Sequence, residues 1–386
     1  MTAFLDLRTL QNEEEAQKEI TGPLYNDFFL DMARNYLSSC DSNAILFTNG
    51  DNDTYPLLYL QAAEGYRQDV MVINRSLLNV NNYINRLREN KILQADSLTM
   101  TLSRSSYSGE KMSLGYIARD LYDEAISVDD IMRGLNRQSR LLTENPVYSQ
   151  QYRLPDKMTI IIDSSKQIPF QLNNKKYMIR GEIILLDIVQ SNIAERPVYF
   201  LEGRGTGFED HLELQGCTFK LAANTKVIDD NFLYGGIDPR KTWKKLMEDF
   251  RFHPDPKMNN SAGKVVLTGY LYAFSYLARH FADNEQSDSC RMVIERYLQL
   301  FPNSVYKMDY LTLPMLSAAY DADLKEQGNS ITYIILGNLD EKIQSGLSDF
   351  DRRVAEYTLK NLEYLVRDDD QIKSDLESLQ IELNNH

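Results

Sequence analysis

At 386 residues and 43% apolar content, the chain is long enough for two domains and too apolar to be disordered throughout. A formal net charge of −14 excludes binding along a nucleic-acid backbone, which needs clustered Lys and Arg, and argues against an anionic membrane surface. Cys40, Cys217 and Cys290 have neither zinc nor disulfide spacing and read as buried thiols. No window approaches the roughly 20 apolar residues of a membrane helix, and no signal peptide opens the chain. Taken alone, these absences lead to an expectation of a soluble, cytoplasmic protein.

Residues 1–23 are polar, with Glu13-Glu14-Glu15 and a break at Gly22-Pro23, and are expected to be an extended lead-in. Tyr25 to Ser39 has helical spacing, with Phe28, Met32 and Tyr36 on one stripe. Ala44 to Thr48 is an apolar strand ending at Asn49-Gly50. The period then changes, and Tyr55, Leu58, Tyr59 and Ala62 mark a helix face, with Pro56 expected in the first turn and Gly65 at the exit. Val70 to Ile73 is a second buried strand, so this stretch predicts a parallel strand–helix–strand unit. Asn81 to Asn90 reads as a helix packed by Tyr83, Ile84 and Leu87, and residues 95–126 as a long loop or irregular hairpins. Ser127 to Asp130 resembles a capping box opening a short helix buried through Ile131, Met132 and Leu135.

Met158 to Asp163 is a third apolar strand. Ile168 to Ile179 suggests a hairpin, or a turn at Asn173-Asn174 between extended pieces. Ile183 to Ile193 reads as a helix, and Pro197 to Leu201 and Leu214 to Leu221 as one strand each. From Thr242 the strand signals fade. Phe274, Leu277, Ala278, Phe281, Cys290, Ile294, Tyr297 and Pro302 follow the spacing of one tetratricopeptide repeat, and Leu313, Leu316, Ser317 and Tyr320 begin a second 39 residues later. Phe274, Leu277, Phe281 and Ile294 are expected in one buried helix-pair interface, and Asp368 to Asp370 at a helix boundary. The fold class is therefore an α/β domain with Rossmann-like units and a mixed sheet, then an all-α tetratricopeptide-like domain. The boundaries are residues 1–40 for the lead-in and first helix, 41–235 for the α/β domain and 236–386 for the helical domain.

Ile45 to Asn79, ILFTNGDNDTYPLLYLQAAEGYRQDVMVINRSLLN, resembles a family of bacterial multi-pass membrane proteins related to a transmembrane protein O-mannosyl-transferase. The resemblance continues at Asn192 to Phe200 and Gln215 to Leu221. It departs from the family pattern at Phe4 to Arg8, where an acidic, His-containing segment is expected, and near Tyr83, where a Trp is expected. It implies that the chain is the extramembrane C-terminal region of a glycosyltransferase-like protein. Its partner would be a membrane-embedded part of the same polypeptide, at the extracytoplasmic (periplasmic) face, with a peptide or glycan as acceptor.

Loops after parallel strands carry working groups, which singles out Asn49, Asp51, Asn52, Asp53 and Arg75. The two carboxylates could hold Mg²⁺ or Ca²⁺ or orient sugar hydroxyls; their structural alternative is a helix cap, with Arg75 a surface group or a partner for Asp51. The full EF-hand spacing is missing. Gly203-Arg204-Gly205-Thr206-Gly207 lacks a following helix and reads as a flexible loop, not a phosphate cradle. His211, His253, His280 and His386 form no ligand pair or triad. No catalytic residue and no cofactor is assigned. The function expected is acceptor or partner binding. A free-standing carbohydrate-active or metal-dependent enzyme using Asp51 and Asp53 and a peptide-binding helical scaffold are the alternatives.

Overall fold

A computed structural model describes residues 2–9, 13–90, 97–108, 114–119, 122–137, 152–228, 230, 232–254, 257, 261–366 and 369–385. The chain divides into two compact units, Met1–Val227 and Ile228–His386.

The first unit opens with two short helices, α1 (Thr2–Thr9) and α2 (Glu13–Glu19), where the sequence led to an extended lead-in. The Glu, Ala, Gln and Lys of α2 are strong helix formers. Phe4, Ala16 and Ile20 are buried in one cluster with Tyr59, a contact that the local pattern does not announce. Helix α3 (Asp27–Ser39) follows, capped by Asn26, whose side chain accepts from the Phe29 N–H, with Phe28, Met32 and Tyr36 buried.

Strand β1 (Ile45–Thr48), helix α4 (Asp51–Glu64) and strand β2 (Met71–Asn74) form the expected unit: Ile45 pairs with Met71 and Phe47 with Ile73, in parallel. Gly65 ends α4 at φ 64°, the left-handed conformation that glycine adopts without strain. Two details differ from expectation. Helix α4 begins at Asp51, so Pro56 lies past the first turn, and its missing N–H deprives the Asn52 carbonyl of its helical donor. The helix also buries more than one stripe, from Pro56 through Gln61, because α3 packs on it as well as β2 and Tyr59 reaches the α1–α2 cluster.

Beyond β2 come α5 (Asn81–Arg88), α6 (Arg104–Tyr107), β3 (Leu114–Ala118), β4 (Ile126–Ser127) and α7 (Val128–Asn136). Then come β5 (Tyr152–Pro155), β6 (Met158–Ile161), β7 (Gln167–Phe170), β8 (Tyr177–Ile179) and α8 (Arg180–Asn192). Strands β9 (Val198–Phe200), β10 (Leu212–Gln215) and β11 (Thr218–Leu221) complete the unit. The main sheet runs β10–β11–β9–β1–β2, parallel over β9–β1–β2 and antiparallel beyond. Two smaller sheets run β5–β3–β8 and β4–β6–β7. Ser127 caps α7 as expected, its hydroxyl accepting from the Asp130 N–H.

Leu214 to Leu221, expected as one strand, is most of a hairpin: Gln215 pairs with Thr218 and Leu212 with Leu221, and Gly216 turns the chain at φ 65°. Asn173 and Asn174 both take positive φ, and the pieces they separate, β7 and β8, join different sheets, so they make a turn and not a hairpin. Residues 95–96, 109–113 and 120–121 of the expected long loop lie outside the described residues; the rest includes α6 and β3.

In the second unit α9 (Pro239–Trp243), capped by Asp238, runs into a π-helical turn over Lys244–Asp249. Six helices follow: α10 (Ser261–Asp283), α11 (Ser287–Leu300), α12 (Leu313–Asp321), α13 (Lys325–Gln344), α14 (Asp349–Leu365) and α15 (Asp370–Asn385). They make three hairpins. The first helices stack α10 on α12 on α14, and the second helices α11 on α13 on α15. That is the neighbour order of a helical-repeat array, and its third hairpin falls on the two helical patterns that the sequence carries over Arg352 to Arg367 and Gln371 to Leu383. Phe274, Leu277, Ala278, Cys290 and Ile294 are buried, and the Cys290 thiol lies 3.8 Å from the Ala318 carbonyl. Phe281 is the exception: half-buried, it packs edge-on against Trp243, with centroids 5.4 Å apart. Asp368 lies outside the described residues, and α15 begins at Asp370.

Candidate functional site

The chain leaves β1 through Asn49-Gly50 and enters α4 within three residues. A short turn of this kind needs its free backbone N–H groups satisfied. Asp53 does this, its two carboxylate oxygens accepting from the Gly50 N–H at 2.7 Å and the Asn49 N–H at 3.0 Å. Burial raises the Asp53 carboxyl above its usual range; the Asn49 and Gly50 N–H groups pull the other way, and Asp51 adds to the rise. Asp51 and Asn52 occupy the first turn of α4 and are exposed.

Behind this turn lies a buried polar layer. The Thr54 hydroxyl donates to the Gly50 carbonyl at 2.5 Å, lies 2.6 Å from the Thr48 hydroxyl and accepts from the Asn74 amide at 3.1 Å. The Asn74 side-chain oxygen accepts from the Ser76 N–H at 3.0 Å, and the Asn74 backbone N–H donates to the Tyr83 hydroxyl at 2.9 Å. Ser76 in turn donates its hydroxyl to the Asn49 carbonyl at 2.6 Å. Strand ends that would strand polar groups in a parallel sheet are thereby paired.

β1 sits between β2 and β9, and the chain leaves β1 toward β2, so the gap between β1 and β9 is a topological switch point. In open α/β sheets, ligands bind in this crevice, beyond the strand C-termini. Arg75 spans it, donating to the Asn49 side-chain oxygen at 3.2 Å and to the Glu202 carbonyl, just after β9, at 3.4 Å. Aromatic groups stand nearby. The Tyr25 phenol is pushed up to about 12, chiefly by burial, with Tyr55 and Asp51 adding to it. The buried Tyr36 phenol is raised by burial first and then by Cys217, Asp53 and Glu202.

The structure therefore brings Asn49, Asp53 and Arg75 into one hydrogen-bonded set and leaves Asp51 and Asn52 on its rim. The loop Asn74 to Ser76 is the second strand-end loop expected from the sequence, and Thr54 a cap candidate there; Thr48, Tyr83 and Glu202 are not singled out by the sequence, where the available signal is a Thr closing an otherwise apolar strand. Mg²⁺ and Ca²⁺ take roughly six to eight oxygen ligands, and Asp53 already uses each oxygen on a backbone N–H. Among the described residues no group of three or more His, Cys, Asp and Glu could hold a metal ion. Within Gly203–Gly207, Gly205 is exposed with open space around it, whereas Gly207 is packed, since a Cβ there would meet Phe170 at 2.4 Å; a short 3-10 turn at Glu209–His211 follows.

Sheet order, crossover unit and crevice define an α/β domain of the open, switch-point type, followed by an array of helical hairpins. Residues 29–239 match the family described as TMEM260-associated domain 2, and with more than half its length matched the chain belongs to that family. The match takes in β1, α4, β2, β9 and every residue of the crevice. It ties the chain to glycosyltransferase-like membrane proteins. No curated protein and no solved structure matches the chain. Among the described residues no helix is long and apolar enough to cross a membrane.

Proposed function

We propose that this chain is the extramembrane part of a glycosyltransferase-like membrane protein related to the protein O-mannosyl-transferases. It stands on the extracytoplasmic face beside the membrane-embedded part of the same polypeptide and binds an acceptor or partner. Bond chemistry belongs to that other part. The observation that carries the reading is the state of Asp53. Sugar transfer needs a base for the acceptor hydroxyl and a group to offset charge on the leaving phosphate. Asp53, the half-buried carboxylate of the crevice, is committed to closing the turn before α4. Exposed Asp51, Asn52 and Ser76 beside Arg75 instead offer hydrogen bonds to a peptide or glycan acceptor.

Purified chain is expected to transfer no mannose from lipid-linked or nucleotide donors to peptides, with or without Mg²⁺ or Mn²⁺. Turnover above a blank, lost in an Asp51→Asn, Asp53→Asn double variant, would overturn this and restore the carbohydrate-active enzyme.

One observation favours the helical-scaffold alternative, a cavity of about 300 Å³ in the second unit with an apolar floor that includes Ile335, Leu339 and Val354. Peptide capture that survives Arg75→Ala and is lost in Leu339→Arg would favour that reading.

A further inference from the structure

The cavity of about 300 Å³ in the second unit is lined by α13, α14 and the segment that leads into α12, with Lys264 of α10 at its edge. Apart from Lys264, its lining comes from two stretches, 307–310 and 335–358, in which every residue is described. Met308, Ile335, Leu339 and Ala355 of the lining are buried. A space of that size over such a floor takes one large apolar side chain, the usual anchor of a bound chain.

The apolar surface continues past the mouth of the cavity. Phe350, Val354 and Tyr357 fall at i, i+4 and i+7 of α14 and share one face. Val354 lines the cavity, Phe350 is 63% exposed, and Tyr357, packed edge-on against Tyr310 at 6.3 Å, is 47% exposed. A small molecule held in the cavity would leave Phe350 in water. A peptide with one side chain in the cavity would run on over it.

The rim supplies charge. Its ammonium and carboxylate groups come in pairs: Lys264 with Asp309 at 3.5 Å, Lys307 with Glu341 at 3.0 Å and Lys342 with Asp351 at 2.9 Å. Two of these acids have a second duty. Asp309 accepts from the Leu311 N–H at 3.0 Å and caps the 3-10 turn Tyr310–Thr312. Asp351 accepts at 2.6 Å from the hydroxyl of Ser348, the residue that caps α14. Each oxygen of both acids therefore has a donor already. Among the described residues Lys264 and Lys342 have one acceptor each, and Lys307 has two, Glu341 and Asn338. An ammonium offers three N–H groups. The rim thus keeps N–H groups to give around an apolar floor, and these fit carboxylates placed beside an apolar side chain.

We propose that this cavity docks an acidic peptide through one large apolar residue, whose side chain fills the cavity while flanking carboxylates bind Lys307 and Lys342. The proposal rests on the helical-scaffold reading and names the ligand chemistry that reading leaves open.

The test uses the full chain and three fluorescent peptides, each with one central Phe flanked by Glu, by Gln or by Lys, with anisotropy as the readout. The Glu peptide is expected to saturate with a Kd on the order of 100 μM, and the Gln peptide to bind about tenfold more weakly. The net charge of −14 by itself favours the Lys peptide, so only the rim can reverse that order. Lys307→Gln combined with Lys342→Gln should bring the Glu peptide down to the affinity of the Gln peptide, and Leu339→Arg should abolish binding. Phe350→Ala should weaken the Glu peptide about threefold. Phe350 and both lysines are about half exposed or more, so unchanged unfolding midpoints should accompany these losses. Equal binding of the three peptides, all lost in Leu339→Arg, would overturn the acidic ligand and leave the scaffold reading in place. Tighter binding of the Lys peptide would do the same. No binding by any peptide overturns both. A dimer in sedimentation that Leu339→Arg dissolves would make a second copy the occupant and equally overturn the proposal.

Discussion

Asp187 lies in the middle of α8 with no exposed surface. Its carboxylate accepts from the Thr101 N–H at 2.9 Å, the Leu102 N–H at 3.0 Å and the Ser191 hydroxyl at 3.3 Å, which ties the segment before α6 to the helix. Burial pushes the carboxyl up to about 6; the Leu102 and Thr101 N–H groups, Ser191 and Arg88 all pull it down without overcoming that burial. In the unfolded chain the same group titrates near 3.9. Between those values the folded state binds more protons than the unfolded state, so this residue contributes stability below about pH 4 and loses it as pH rises through about 6. Two units of difference correspond to about 3 kcal/mol. The comparison is with Asp187→Asn, which cannot titrate and so cancels the opposing contributions of other carboxylates. Stability of the parent chain relative to the variant, from urea unfolding, should rise by about 2 kcal/mol between pH 7 and pH 4, where the unfolded carboxyl is still about half ionised. The ¹³C carboxyl resonance of Asp187 should titrate near 6. A midpoint at or below the ordinary carboxylate value, or the same pH slope in both proteins, would refute the account.

Three further outcomes are expected. Asp53→Ala removes the acceptor for the Asn49 and Gly50 N–H groups and should cost about 1 kcal/mol, the usual worth of a helix cap, in denaturant unfolding. Ala278→Leu in the buried α10–α11 interface should destabilise the second unit by about 1–3 kcal/mol through overpacking, and an unchanged unfolding midpoint would count against the packing. Gly207→Ala meets both a left-handed backbone, φ 83°, and a 2.4 Å approach to Phe170, and should lower the melting temperature more than Gly205→Ala, whose φ is 70° but whose Cβ has open space.

The unit Ile45 to Ile73 is legible in the sequence because each signal in it is local: an apolar run, a shift to helical spacing, Gly65 at the exit, a second run. The Ser127 cap and the Phe274 to Tyr297 repeat spacing are legible for the same reason, since period and capping are set within one or two turns. The exact start of α4 was not, because an acidic turn and a helical first turn draw on the same residues, Asp51 to Asp53, and only the bonds Asp53 makes decide between them.

What tertiary structure alone decided are contacts between distant positions. Phe4 and Ile20 hold helices at the N-terminus because Tyr59 is there to cover them. The third apolar run joined β4 and β7, not β1, since an apolar strand carries no mark of which sheet will pair with it. The crevice depends on this most. Asn49 to Asp53 stand together in sequence and Arg75 joins them through the local strand–helix–strand unit, but the partner that closes the crevice, Glu202, lies 127 residues from Arg75 and arrives only because β9 pairs with β1. Residue types set which bonds a side chain can make. Strand order sets which of them it does make, because only pairing brings two ends of the chain within hydrogen-bond distance.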